Sequence, residues 1–182
     1  DPDIGVGWHP YPLSVRVSNW VKWNLGGNQP SPEMLSSLAR QARYLLQNVE
    51  WHHMGNHLFA NAKALILAGI LFDGDEAAAW RRAGWEVLHS QLGDQILPDG
   101  GHFERSPMYH LIVLEDLLDI LNALEAYGEA SGSDAQRLRI VGGEMVRWVR
   151  AISHRDGEIP LLNDAALQVA PRPTELVAYA ER

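Results

Sequence analysis

An all-α fold is what this sequence predicts, on three observations. Apolar residues recur at helical three- and four-residue spacings, alternating β-branched runs are scarce, and Gly, Pro and Asp clusters cut the chain into segments of similar length. The segments then read in order as helices.

Gly7 through Pro12 is rich in breakers, so the first helix is expected after it. Leu13, Val17, Trp20 and Val21 carry its stripe, and Gly26-Gly27 ends it. Ser31-Pro32-Glu33 reads as an N-cap with proline at the first helical position. Leu35, Leu38, Ala42, Leu45, Leu46 and Val49 continue that second helix to about residue 49. Beyond Gly55, the stretch from Leu58 to Ile70 is apolar almost all round, as a helix buried among other helices would be. Asp73-Gly74-Asp75 separates it from a fourth helix, Glu76 to about Leu92, marked by Trp80, Gly84, Val87, Leu88 and Gln91.

The breaker-rich loop Leu97-Pro98-Asp99-Gly100-Gly101 follows, and its density of turn residues predicts an ordered connection. Ser106-Pro107 repeats the N-cap-plus-proline signal and opens a long helix through Ile112, Leu117, Leu121 and Leu124 to Gly128, with Tyr109 in its first turn. A sixth helix spans about Asp134 to Ile152. Its Gly142-Gly143 pair is read as a place where a neighbouring helix comes close. Residues 153–172 look irregular, and Pro173 to Arg182 begins a seventh helix. Successive helices read as antiparallel hairpins, which fit an incomplete α/α toroid and a plain bundle equally well.

With 182 residues and 46% hydrophobic content the chain can bury a core of its own, and residues 1–182 are expected to form a single helical domain. No apolar run reaches the roughly 20 residues that a membrane-crossing helix requires, and the mean hydropathy of −0.19 is ordinary for a soluble protein. Acidic residues outnumber basic ones 23 to 15, for a net charge of −8, which argues against a nucleic-acid partner. A local basic cleft could still hold an anionic sugar, because a cleft's field is set by the groups lining it. There are no cysteines, so disulfides and thiolate metal sites are excluded. The opening Asp1-Pro2-Asp3 shows no basic-then-apolar leader.

Several side chains carry alternative readings. Asn56-His57 fits a helix start, with Asn56 as the cap, and Tyr109 fits an amphipathic core position. His52, His53 and His57 suggest zinc, but Gly55 interrupts the helix that would align them, no HExxH pattern exists, and no metal ligand is assigned. Glu104, Asp99 and Asp164 could supply the carboxylate pair of a glycoside hydrolase, although caps and ion pairs account for each of them. Trp8, Trp23 and Trp51 stand near breaker-rich segments, where an indole face can stack on a sugar. Trp20, Trp80, Trp85 and Trp148 fall in helical stripes and are expected in the core.

Three stretches carry a resemblance. Trp8-His9-Pro10-Tyr11-Pro12-Leu13-Ser14, Gly55-Asn56-His57-Leu58, and the run from Asp99 through Gly100-Gly101-His102-Phe103-Glu104-Arg105-Ser106-Pro107-Met108-Tyr109 to His110 resemble, in that order, the helical domain of heparinase II/III-type polysaccharide lyases. The resemblance spans most of the chain. It implies an N-terminal α/α toroid, a C-terminal β-sandwich absent from this sequence, and an acidic polysaccharide cut between them. This chain would then be an excerpt of a longer two-domain bacterial enzyme, periplasmic or secreted. It needs no cofactor in its helical part, and any structural metal would belong to the missing region.

By the same resemblance Asn56 binds the uronate carboxylate, His57 assists, Tyr109 transfers protons, and a second histidine comes from the missing part. His53, Trp51, His102, Glu104 and Arg105 are the expected substrate contacts. The chemistry asks for such groups. Elimination removes the weakly acidic C5 proton beside a carboxylate, so that carboxylate's charge must be offset first. An Asn56 amide donor with a protonated His57 or Arg105 would do this. A Tyr109 phenol could then take the C5 proton and return one to O4. With the helix starting near Ser106, Arg105 and the helix dipole would both favour the phenolate. The fragment alone is expected to lack part of the cleft, and a toroidal hydrolase and a non-catalytic acidic-glycan-binding module are the competing readings.

Overall fold

The structure, a computed structural model, describes residues 5–127 and 131–182. The opening Asp1-Pro2-Asp3 and the expected helix end at Gly128 lie outside the described residues. Among those residues every regular element is a helix, apart from one isolated bridge between Ile96 and His102. None of the helices is long and apolar enough to cross a membrane. The chain forms two compact units, Asp1–Ser90 and Gln91–Arg182.

In the first unit a 3-10 turn at Val6–Trp8 leads into α1 (Pro10–Leu25), followed by α2 (Pro32–Gln47), α3 (Asn56–Leu71) and α4 (Asp75–Gln95), whose last turn lies beyond the unit's limit. Helix α1 starts three residues earlier than the breakers suggested. Pro10 and Pro12 occupy its first turn, where backbone N–H groups have no intrahelical acceptor and a missing donor costs nothing. Ser31 caps α2 as expected, accepting from the Met34 amide at 3.4 Å.

Helix α3 forms the centre of this unit, with every residue from Leu58 to Ala68 buried. It packs against α1, which contributes Leu13, Val17 and Val21, and against α2, which contributes Leu38, Ala42 and Leu45. Close helix approach is provided by Gly84 on α4. A Cβ there would stand 2.8 Å from Ile66 Cγ1 and 2.9 Å from the Ala62 carbonyl oxygen. The stripe reading of Trp20 is corrected: this side chain is 40% exposed, on the face of α1 away from the core, whereas Trp80 is buried as expected.

In the second unit α5 (Pro107–Ala126) packs with α6 (Ser133–Ile152) and α7 (Pro173–Ala180). Its core holds Leu111, Leu114, Leu117 and Ile120 of α5, Leu138, Met145 and Val149 of α6, and Leu176 of α7. The 97–101 loop is ordered, with Leu97 N–H donating to the Gly101 carbonyl and Gly100 N–H to the Leu97 carbonyl. Gly100 has φ +85°, and a Cβ on it would lie 2.5 Å from the Glu144 carbonyl oxygen, so the loop lies directly on α6. The Gly142-Gly143 expectation is overturned. A Cβ at either position would meet nothing within 4 Å, so no neighbouring backbone exploits their small size.

Candidate functional site

Gly55 sets up the polar cluster of the first unit. Its φ of 100° and ψ of −159° belong to a region open essentially to glycine, and the chain turns there straight into α3. Gly55 is thus the N-cap residue, and Asn56, read from the sequence as a cap, is instead the first residue of the helix. Its buried side chain does not cap the helix and turns instead to α1, where Asn56 Nδ2 donates to Tyr11 Oη at 3.3 Å.

His57, the next residue, is held from two directions. Its ring stacks on Tyr11 with centroids 4.3 Å apart and planes at 15°. On the other side Nδ1 lies 3.3 Å from Glu50 Oε1. The roles in this contact follow the tautomer: with the proton on Nδ1 the carboxylate accepts, and Nε2 is left for outside chemistry. The His57 side chain is 37% exposed, against 9% for Glu50.

Behind Glu50 the polar contacts continue inward. Asn61, fully buried on α3, accepts from the Glu50 backbone N–H through Oδ1 at 3.0 Å, and its Nδ2 donates to Ser14 Oγ at 3.0 Å and to Glu50 Oε2 at 3.5 Å. Buried amide and carboxylate groups are costly without partners, and here each supplies the other's. Outside α3, the loop residues Trp51, His52, His53 and Met54 are all exposed. The rings of His52, His53 and His57 follow one another, at centroid distances of 4.4 Å and 5.6 Å. Among the described residues no group of three His, Asp or Glu side chains is arranged to hold a metal ion.

In the second unit Tyr109 stands in the first turn of α5, half-buried. The helix start differs from expectation in one respect. Ser106 is the N-cap residue, but its hydroxyl makes no capping bond and is buried without a partner. Arg105 is exposed with φ +56°, and Glu104 is half-buried. Their two carbonyl oxygens both accept from Asn163 Nδ2, at 3.0 Å and 2.9 Å, so a residue of the irregular 153–172 stretch fixes the approach to Tyr109.

His102, expected among the substrate contacts, is buried in this structure. It is 1% exposed, and its Nε2 meets Gln95 Oε1 at 2.9 Å. Burial pushes its pKa down to about 4. His110 is also sealed, stacked on Trp148 at 4.4 Å with Nε2 3.1 Å from the Met145 carbonyl oxygen. Burial again takes its pKa to about 4, opposed in part by that carbonyl and by Asp99. Asp99 itself accepts from the Gly101 N–H at 3.0 Å, a local turn bond.

Sequence reasoning assigned no role to Glu50, Tyr11, Ser14, Asn61 or Asn163. A signal existed for two of them, since Tyr11 and Ser14 belong to the first of the three resembling stretches.

The chain is similar to known proteins along most of its length. The family model described as Heparinase II/III N-terminus matches residues 31–177. A heparin-sulfate lyase of Bacteroides stercoris is 33% identical over 166 residues, covering 88% of this chain and 25% of that protein. FtsZ-localized protein C of Caulobacter vibrioides is 32% identical over 155 residues, covering 73% of this chain and 26% of its own length. Among solved structures, that of a heparinase III is similar with a TM-score of 0.73 at 25% identity, over 97% of this chain and 29% of the other. The likeness covers nearly all the helices, and the incomplete α/α toroid expected from the resemblance stands with it. The chain spans about a quarter of the length of the curated relatives it matches.

Proposed function

Because the chain belongs to the Heparinase II/III N-terminus family, we propose that it is the helical part of a polysaccharide lyase that cleaves a uronic-acid-containing polymer by β-elimination. The observation that carries this reading is the start of α3. There a carboxamide and an imidazole on successive residues are fixed by Tyr11 and Glu50 beside an exposed loop.

In the proposed mechanism Asn56 donates an amide N–H to the uronate carboxylate and a protonated His57 adds a charged donor through Nε2. Charge that builds up on the carboxylate as the C5 proton leaves is thereby stabilised. Tyr109, starting as the phenolate, takes that proton and returns it to O4 as the C4–O4 bond breaks. His53, Trp51, Glu104 and Arg105 are the proposed contacts for neighbouring sugars. Trp51 is 60% exposed, which leaves an indole face open for stacking. The rest of the site, including a second histidine, would come from the remainder of a longer protein with a β-sandwich domain. The reading also carries a periplasmic or secreted location.

The test is an ultraviolet assay of the full-length protein on a panel of uronans, since elimination leaves a 4,5-unsaturated uronate that absorbs and hydrolysis leaves none. Asn56→Ala and Tyr109→Phe should each lower kcat by about 100- to 1000-fold while fold and thermal stability are retained. Full activity in Tyr109→Phe would exclude its proton-transfer role.

A second reading, a non-catalytic glycan-binding or scaffold module, is favoured by the Caulobacter relative, whose name records a localisation. Binding of an acidic glycan without any cleavage, unchanged in Tyr109→Phe, would select it. The hydrolase reading has less support, because Asp99 is already engaged in its own turn.

A further inference from the structure

We propose that Glu50 is a positioning residue that selects the tautomer and orientation of His57, and that Asn61 and Ser14 hold Glu50 in place. The proposal rests on the lyase reading for its catalytic consequence, but not for the geometry it invokes.

Three observations support it. Glu50 lies in the α2–α3 connection and is 7% exposed, so its carboxylate cannot rely on water for its hydrogen bonds. One carboxylate oxygen faces His57 Nδ1 at 3.3 Å and the other faces Asn61 Nδ2 at 3.5 Å. Asn61 in turn fixes the Glu50 backbone N–H at 3.0 Å and is tied to Ser14 on α1, so the carboxylate is held at both main chain and side chain.

The consequence follows from imidazole chemistry. A neutral histidine in water prefers no single ring nitrogen strongly, and a fixed acceptor at Nδ1 removes that freedom. With the proton held on Nδ1, Nε2 becomes the bare nitrogen of the neutral ring and a donor only when the ring is protonated. Stacking on Tyr11 restricts the ring plane, while Glu50 restricts its rotation within that plane. A carboxylate behind a working imidazole acts through it, by orientation and tautomer, without touching substrate.

The experiment uses the full-length protein labelled with nitrogen-15 at histidine, with His57 assigned by its loss in His57→Ala. In the wild type, neutral His57 should carry its proton on Nδ1. Glu50→Gln, which keeps an acceptor oxygen, should preserve that state, and Glu50→Ala should shift the proton toward Nε2. An unchanged tautomer in Glu50→Ala would overturn the proposal.

The kinetic arm is a double-mutant cycle. Glu50→Ala should lower kcat by about 10- to 100-fold with KM altered less than about twofold. It should add nothing further in a His57→Ala background. A Glu50 that served only folding would lower both backgrounds alike and leave the tautomer alone, which also overturns the proposal. If the wild type cleaves no uronan but the tautomer follows Glu50, the lyase reading fails and the hold of Glu50 on His57 stands.

Discussion

The two units bury histidine in opposite ways. In the first, His57 keeps a carboxylate at one nitrogen and more than a third of its side chain in solvent. In the second, His102 and His110 are sealed, and the Nδ1 atom of each lacks a hydrogen-bond partner. The first arrangement suits a group that meets a ligand, and the second suits neutral rings that fill space and fix a loop to a helix. The contrast shows that histidine content alone says little about a site, whereas the second nitrogen's partner says a great deal.

The largest effect expected from this contrast is acid sensitivity originating in the second unit. Burial lowers the folded-state pKa of His102 and of His110 to about 4, below the ordinary value of 6.5. Above pH 6.5 both folded and unfolded chains hold these rings neutral, and the stability they permit is fully present. As the pH falls from 6.5 toward 4, the unfolded chain takes up protons that the folded chain resists, so stability is lost across that window. The limit is about 3 kcal/mol for each histidine, reached near pH 4. Urea unfolding at several pH values measures it, and His110→Gln should flatten the acid decline even if it lowers stability at neutral pH. An identical pH slope in the variant would show that His110 is not sealed as described.

Glycine sharpens the comparison next. In the first unit a Cβ at Gly84 would stand 2.8 Å from Ile66 Cγ1 and 2.9 Å from the Ala62 carbonyl, on a helix that cannot retreat without opening the core. Gly84→Ala should therefore destabilise the protein by about 1 to 3 kcal/mol, as overpacking does. A drop in the urea midpoint with an unchanged slope would register it. A neutral result would mean that α3 and α4 separate more easily than their packing implies.

What was legible in the sequence follows from how local each signal is. Ser31-Pro32 and Ser106-Pro107 marked helix starts because proline at N1 depends on the backbone of one turn alone, and the starts of α2 and α5 lie there. The cap at Ser106 was less legible, since a hydroxyl's partner depends on how the preceding loop delivers it. The Trp20 stripe identified a helix but not its covered face, because periodicity cannot say whether anything packs there. Asn56, His57 and Tyr109 could be singled out by resemblance and by their places at helix starts. Glu50 could not be linked to His57 through any motif, and the bonds from Asn61 to Ser14 and from Asn56 to Tyr11 join residues 47 and 45 positions apart. Such links exist only once α1 has packed along α3. The burial of His102 was hidden for the same reason, since it depends on how a loop folds over its own unit.

The smallest effect concerns the glycine pair that the sequence singled out for close packing. Gly143 is exposed in the interior of α6, and an added methyl would meet nothing within 4 Å. The position therefore keeps glycine's entropic cost without using its small size. Gly143→Ala should raise stability by about 0.5 to 1 kcal/mol, the difference in helix preference between the two residues. The sign matters more than the size, because Gly84→Ala is predicted to move the urea midpoint the other way with the same chemical change. If Gly143→Ala proves destabilising, the outer face of α6 is covered in the full-length protein, and the original expectation of a close neighbour there would be restored.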